Sequence, residues 1–234
     1  MVPLLAIRKF VHMQINEAFV TAETSPTGWV CEVWAKDLTM KNLVFSFLLL
    51  FGSFSLLAQT NPKGLAINDK APDFTANDQS GKKINLNSEL KKNAVVLVFY
   101  RGQWCPFCNK ELKALEDSLQ FIRSKGGIVI AISPEKPENI TKTIEKTNAT
   151  YSVLYDEGLS IMKSYDVAFQ LDSLTISKYK TYGIDFNIVN GQANGNHLPV
   201  PAVYVIDKKG KIAYRHFDPD YRKRASISEI IKHL

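Results

Sequence analysis

The sequence predicts a mixed α/β fold, on three observations. Apolar, β-branched runs alternate with helix-periodic stretches, a strand–turn–strand pair followed by a helix closes the chain, and the composition suits a packed core. Apolar residues make up 45% and charged residues 22% of the 234, the balance of a globular protein rather than a disordered one. No fixed-period repeat and no low-complexity tract is present.

Taken in order, residues 72–76 and 83–86 read as short strands about the turn Asp78-Gln79-Ser80-Gly81, a hairpin by its turn chemistry. Ser88-Glu89-Leu90 opens a helical turn. Residues 94–100, AVVLVFY, are continuously apolar, the pattern of a central strand buried on both faces. Leu112, Leu115, Leu119 and Ile122 recur at helical spacing, and Gly126-Gly127 stops that helix. Residues 128–132 give a second buried strand, 134–147 a helix, 151–155 a strand and 159–165 a helix. Residues 203–206 and 211–215 pair across a turn at 207–210, and 226–234 form the closing helix. This order builds a mixed central sheet flanked by helices. Residues 167–199 break it: Gly183, Gly191, Gly195 and several asparagines suggest a long loop of the kind that carries function or motion.

The first sixty residues read differently. Residues 40–58 hold a methionine, one lysine and an apolar run, shorter than the roughly 20 residues a spanning helix needs and suited to a signal-peptide core. Cleavage near Ala58 would release a secreted or periplasmic chain. Met40 then marks the expected start, and residues 1–39 an over-long gene start or extension. The expected organisation is 1–39 extension, 40–58 signal peptide, 59–69 linker and 70–234 domain.

The formal charge is +6 and the pI about 9.1. The basic residues are scattered, the densest cluster being Arg222-Lys223-Arg224. A nucleic-acid binder concentrates its basic residues on one face, so no nucleic-acid partner is expected and residues 221–224 read as surface charge. Glu111 and Glu116 read as solvent-facing.

The three cysteines are Cys31, Cys105 and Cys108, too few for a disulfide scaffold. The last two lie in FYRGQWCPFCNKEL, residues 99–112. A strand ends near Tyr100, and Pro106 suits the first position of a helix, which leaves Cys105 at the N-cap and Cys108 one turn in. Unpaired N–H groups and the helix dipole favour an anion at that end, so Cys105 should be the more acidic thiol. The spacing also lets the sulfurs join in a reversible disulfide. A zinc site is disfavoured: there is no second C-x-x-C, and beyond Ala58 only His197, His216 and His233 remain as nitrogen donors, none at a metal-ligand spacing from the pair. A purely structural bridge over so short a loop adds little stability. Redox chemistry is favoured, with no cofactor and no resident metal expected. His197 and His216 are possible bases that nothing in the sequence places near the thiols.

The strand, the WCPFC and the helix after it resemble the thioredoxin superfamily. APDFTANDQSGKKINLNSEL (71–90) and LPVPAVYVIDKKGKIAYRHFDPDYRKR (198–224) resemble the peroxiredoxin-like AhpC/TSA family, in its branch with a FYRGxWCPxC motif. The resemblance covers residues 64–234 and implies a thioredoxin-like fold with an N-terminal hairpin. It also implies a cis Val200–Pro201 bond facing the cysteines and takes in Asp73 and Phe74 without assigning them chemistry; Trp104, beside the cysteines, is expected to shield the site. Two activities remain open. A peroxiredoxin alignment makes Cys108 the attacking thiol. It also puts Cys105 where a hydroxyl residue is usual, Arg101 where a proline is usual, and Pro201 where an arginine is usual; Arg101 could then supply the missing charge. A thioredoxin alignment makes Cys105 the nucleophile and Cys108 the resolving thiol. The implied substrates are a hydroperoxide, the favoured one, or a protein disulfide, with an external thioredoxin-like reductant. A third possibility is a binding module on a redox fold.

Overall fold

The computed structural model describes residues 61–234. The segments 1–39 and 40–58 lie outside the described residues. Residues 61–69 have no helix or strand but are laid on the fold: Gly64 N–H donates to Asp166 O and Asn68 N–H to Ile212 O.

The hairpin is β1 (Thr75–Asn77) against β2 (Lys83–Asn85), in antiparallel register Thr75↔Asn85. Asp78 sets its turn, accepting from the Ser80 and Lys82 N–H groups. The short α1 (Leu86–Leu90) follows, capped by the Asn85 side chain. Then come β3 (Ala94–Phe99), α2 (Pro106–Asp117), α3 (Leu119–Ser124), β4 (Gly127–Ser133), α4 (Pro137–Thr147), β5 (Ser152–Tyr155) and α5 (Ser160–Ser164). The stretch expected as one helix from Leu112 to Ile122 is two helices. Ser118 leaves helical geometry at φ −102°, ψ 2°, and its hydroxyl and the neighbouring Asp117 are weak helix formers. Asn148, at φ 56°, ends α4 in the left-handed conformation asparagine tolerates.

Residues 167–199 are ordered elements rather than the expected loop. They hold β6 (Ala168–Gln170), α6 (Ser173–Thr181), α7 (Phe186–Val189) and β7 (His197–Pro199). β6 and β7 pair antiparallel, Phe169↔Leu198 at the centre, and close the insertion at its base. The Asp172 and Asp185 carboxylates cap α6 and α7 by accepting from Thr175 and Asn187 N–H. The asparagines that suggested a loop hold it together. Buried Asn194 donates to Pro134 O (2.7 Å) and Asp156 O (3.0 Å), and Asn190 to Gly195 O and His197 O.

The chain ends through β8 (Ala202–Ile206), β9 (Ile212–Phe217) and α8 (Ile227–Lys232). The main sheet has the order β5-β4-β3-β8-β9. β3 runs parallel to β4 and antiparallel to β8, so it is central and every one of its residues is buried. Its side chains alternate between two cores. Val95, Leu97 and Phe99 face the core that holds Tyr165 and Tyr204. Val96, Val98 and Tyr100 face the core that holds Cys105, Cys108 and Leu112. The alternation therefore delivers the cysteines to one side of the sheet, at the carboxyl end of β3, where open α/β sheets form their clefts.

Among the described residues every peptide bond is trans, Val200–Pro201 included, which corrects the expected cis bond. The trans isomer is favoured by about 0.5–1 kcal/mol even before proline. Val200 N–H donates to Val167 O at 2.8 Å, between the end of β7 and the start of β8.

Candidate functional site

Cys105 is the N-cap of α2 and Pro106 its first residue, as the sequence predicts. The Cys105 sulfur accepts from Cys108 N–H at 3.4 Å. Both thiols are free; Cys105 is 2% exposed and Cys108 fully buried. Their environments drive them apart. The Cys108 thiol hydrogen bond, with smaller help from Cys108 N–H, Arg101 and Arg224, overcomes burial and lowers Cys105 to about 6. Burial pushes Cys108 well above the ordinary thiol range, and its hydrogen bond to Cys105 adds to the effect.

Arg224 is the residue that sequence reasoning misplaced. It is not surface charge: its side chain is 14% exposed. One guanidinium nitrogen donates to Cys108 Sγ at 3.3 Å and lies 4.0 Å from Cys105 Sγ. The other pairs with Glu111 Oε2 at 2.9 Å. Glu111 is correspondingly buried rather than solvent-facing, its side chain 4% exposed. It stands three residues beyond Cys108 on α2, on the same helical face, and that face turns inward. Burial outweighs the arginine's attraction and raises Glu111 to about 7. Glu116 is also engaged, accepting from Thr150 N–H and hydroxyl. The usable signal for Arg224 is its place in the family-like tail; its burial depends on how β9 and α8 bring that tail over α2.

Arg101 is 5% exposed, and its guanidinium packs on the rings of Tyr221 (4.3 Å), Trp104 (5.0 Å) and Tyr179 (5.6 Å). It also donates to the Tyr179 hydroxyl. Trp104 meets Tyr179 and Phe186 edge to face, at 5.1 and 5.7 Å. Gln103 N–H donates to Glu135 Oε2 at 2.7 Å, and Asn109 donates to Gln103 O. Glu135 is wholly buried, and burial raises it to about 8. Gly102 has φ +153°, and a Cβ there would lie 2.6 Å from the Glu135 carboxyl and from Trp104 Nε1. Only glycine lets this loop cross over that carboxyl.

Arg101, Gln103, Trp104, Tyr179 and Tyr221 line a cleft of about 830 Å³ that Cys105 also lines and Cys108 does not. Pro201 stands in an adjoining cleft of about 430 Å³ that shares Arg101, Tyr179 and Tyr221 with the first. His197 Nδ1 faces Asn194 O and His216 Nε2 faces Lys223 O, and neither histidine lines the two clefts. Asp73 braces the hairpin, accepting from Asn85 and from Asn87 N–H.

Fold and site together define a thioredoxin-fold protein with a pair of cysteines at the start of the helix that follows its central strand. Residues 67–215 match the AhpC/TSA family, and the chain belongs to that family. It is 34% identical over 116 residues to a chloroplastic peroxiredoxin Q of Gentiana triflora, covering 50% of this chain and 52% of that one. It is 26% identical to a thiol-disulfide oxidoreductase ResA of Bacillus thuringiensis, covering 65% of this chain and 70% of that one. The peroxidoxin BcpB of Mycobacterium tuberculosis superposes with a TM-score of 0.55 at 20% identity, over 72% of this chain and 96% of that one. The chain spans 52% to 65% of the length of its peroxiredoxin Q relatives.

Proposed function

We propose that the protein is a thiol peroxidase of peroxiredoxin type in which Cys105 attacks and Cys108 resolves. The observation that carries the assignment of roles is the split between the thiols. Cys105 is held as the acidic thiol at the cleft, whereas Cys108 is fully buried and held protonated. Membership of the AhpC/TSA family and likeness to peroxiredoxin Q support the peroxidase.

The Cys105 thiolate displaces on the terminal oxygen of a hydroperoxide. An S–O bond forms, the O–O bond breaks, and sulfur gives up two electrons. The terminal OH moves to sulfur, and the leaving alkoxide takes a proton from solvent. The sulfenic acid then meets the Cys108 thiol, the disulfide forms, and water leaves. An external dithiol, of thioredoxin-like class, restores the pair through a mixed disulfide. Arg224, within reach of both sulfurs, steadies the thiolate and the charge that develops as Cys108 gives up its proton. Export of the chain, with cleavage near Ala58, belongs to the same proposal.

A second reading, reduction of protein disulfides, is supported by the likeness to ResA and by the CPFC pair itself. Stopped-flow mixing of the reduced chain with hydrogen peroxide, read by intrinsic fluorescence, decides between them. Oxidation far faster than that of a free thiol, lost in Cys105→Ser and arrested at the sulfenic acid in Cys108→Ser, supports the peroxidase. Slow oxidation with rapid exchange against a protein disulfide establishes the second reading instead.

A further inference from the structure

The cleft before Cys105 is far larger than hydrogen peroxide requires. Its volume of about 830 Å³ lies in the range that holds a small organic ligand, roughly 300–1,000 Å³. Its chemistry is one-sided. Arg101, Lys146 and Lys178 line it, and no aspartate or glutamate does.

Arg101 is the telling residue. It is 5% exposed, forms no ion pair with a carboxylate among the described residues, and its Nε has no hydrogen-bond partner. Ring faces compensate only part of a desolvated charge. Among the described residues that line the cleft no carboxylate offsets it, and the negative charge that Cys105 can carry is lost on oxidation. Lys178 likewise enters no ion pair.

The insertion supplies the opposite wall. Thr175, Lys178, Tyr179 and Tyr182 recur at i, i+3, i+4 and i+7 along α6 and its cap, and all four line the cleft. The rim is apolar and uncovered: Phe107 is 38%, Tyr221 38% and Tyr182 67% exposed. Exposed rings gathered beside a cleft mark a binding surface rather than ordinary scatter.

We infer that the cleft is a receptor for an anionic organic hydroperoxide, its carboxylate held by Arg101 and Lys178 and its apolar body lying on the aromatic rim. The inference rests on the peroxidase reading and adds its substrate class. A substrate held this way presents its terminal oxygen to Cys105; the thiolate becomes the sulfenic acid and the hydroperoxide leaves as its alcohol.

The test compares the para-carboxylate of cumene hydroperoxide with its methyl ester, which keeps the body and removes the charge. On the reduced full chain, kcat/KM should favour the acid by about tenfold at low salt, as expected for charge-assisted contacts. High salt and Lys178→Gln should each shrink that ratio. Equal rates, or a preference for the ester, would overturn the inference while leaving the peroxidase intact. If no hydroperoxide is reduced, the peroxidase fails, and the cleft is read separately by fluorescence titration with para-carboxycumyl alcohol. Saturable binding of that acid and not of its ester supports the receptor. Absence of binding overturns it, as does capture of polyglutamate without the alcohol, which would give the cleft to an acidic protein segment.

Discussion

Cys105 and Cys108 are the same residue one helical turn apart, and everything that separates them is environment. At Cys105 the hydrogen bond from its partner thiol, helped by Cys108 N–H and the charges of Arg101 and Arg224, lowers the pKa to about 6. Iodoacetamide should therefore alkylate Cys105 with a half-maximal rate near pH 6, two to three units below the ordinary thiol value of about 8.5. Cys108 in Cys105→Ser should remain nearly inert. Mass spectrometry of the labelled peptide across pH checks both. Arg224→Met removes the cation beside both sulfurs and strands Glu111 in the core. It should raise the Cys105 pKa and cost about 3 kcal/mol, the range for breaking a buried pair. Adding Glu111→Gln should restore most of the urea midpoint without restoring thiol acidity, which separates the charge on sulfur from the pairing that holds the tail. The CPFC motif, the N-cap and the proline after it were legible because local sequence sets them. Arg224 and Glu111 were not, since their burial arises from a contact across 113 positions.

Among the elements, β3, β4 and β8 could be read directly, because strands buried on both faces need continuous apolar runs and short helices between them. The insertion could not. α6 buries none of its residues, so it shows no apolar stripe, and its order comes from aspartate caps and buried asparagine amides that look like loop composition in the sequence. The insertion's small apolar cluster is centred on Phe186 of α7, fully buried and in ring contact with Trp104 and Tyr179. Phe186→Ala should remove the support for α6, costing about 3 kcal/mol within that small cluster. Hydrogen exchange should show α6 amides losing protection while β3 amides keep theirs. Equal loss in both would mean that the insertion and the main sheet unfold as one cooperative unit.

For the molecule as a whole, the two buried carboxyls beneath the site tie stability to pH. Glu111 is raised to about 7 and Glu135 to about 8, both chiefly by burial. A carboxyl raised on folding binds more protons in the native state than in the unfolded chain. Its contribution is therefore fully present below about pH 4.5, the unfolded value, and is lost as pH rises through the folded value. Cys105 acts in the opposite sense: its folded value of about 6 lies below the unfolded thiol's, so its stabilisation grows as pH rises through 6 to about 9. The carboxyls are accordingly read by difference. Glu135→Gln keeps an oxygen to accept from Gln103 N–H but cannot ionise. The gap in unfolding free energy between this variant and the parent should widen in the variant's favour between pH 5 and pH 8, by a few kcal/mol, and then level off. Urea titrations of both reduced proteins at half-unit pH steps measure it. Parallel curves would mean that Glu135 is already ionised at low pH beneath the loop, its charge held by the Gln103 N–H and the nearby Lys142 and Lys146. In that case Gly102 crosses over a permanent anion, and the acidity of Cys105 is achieved against that charge rather than beside a neutral carboxyl.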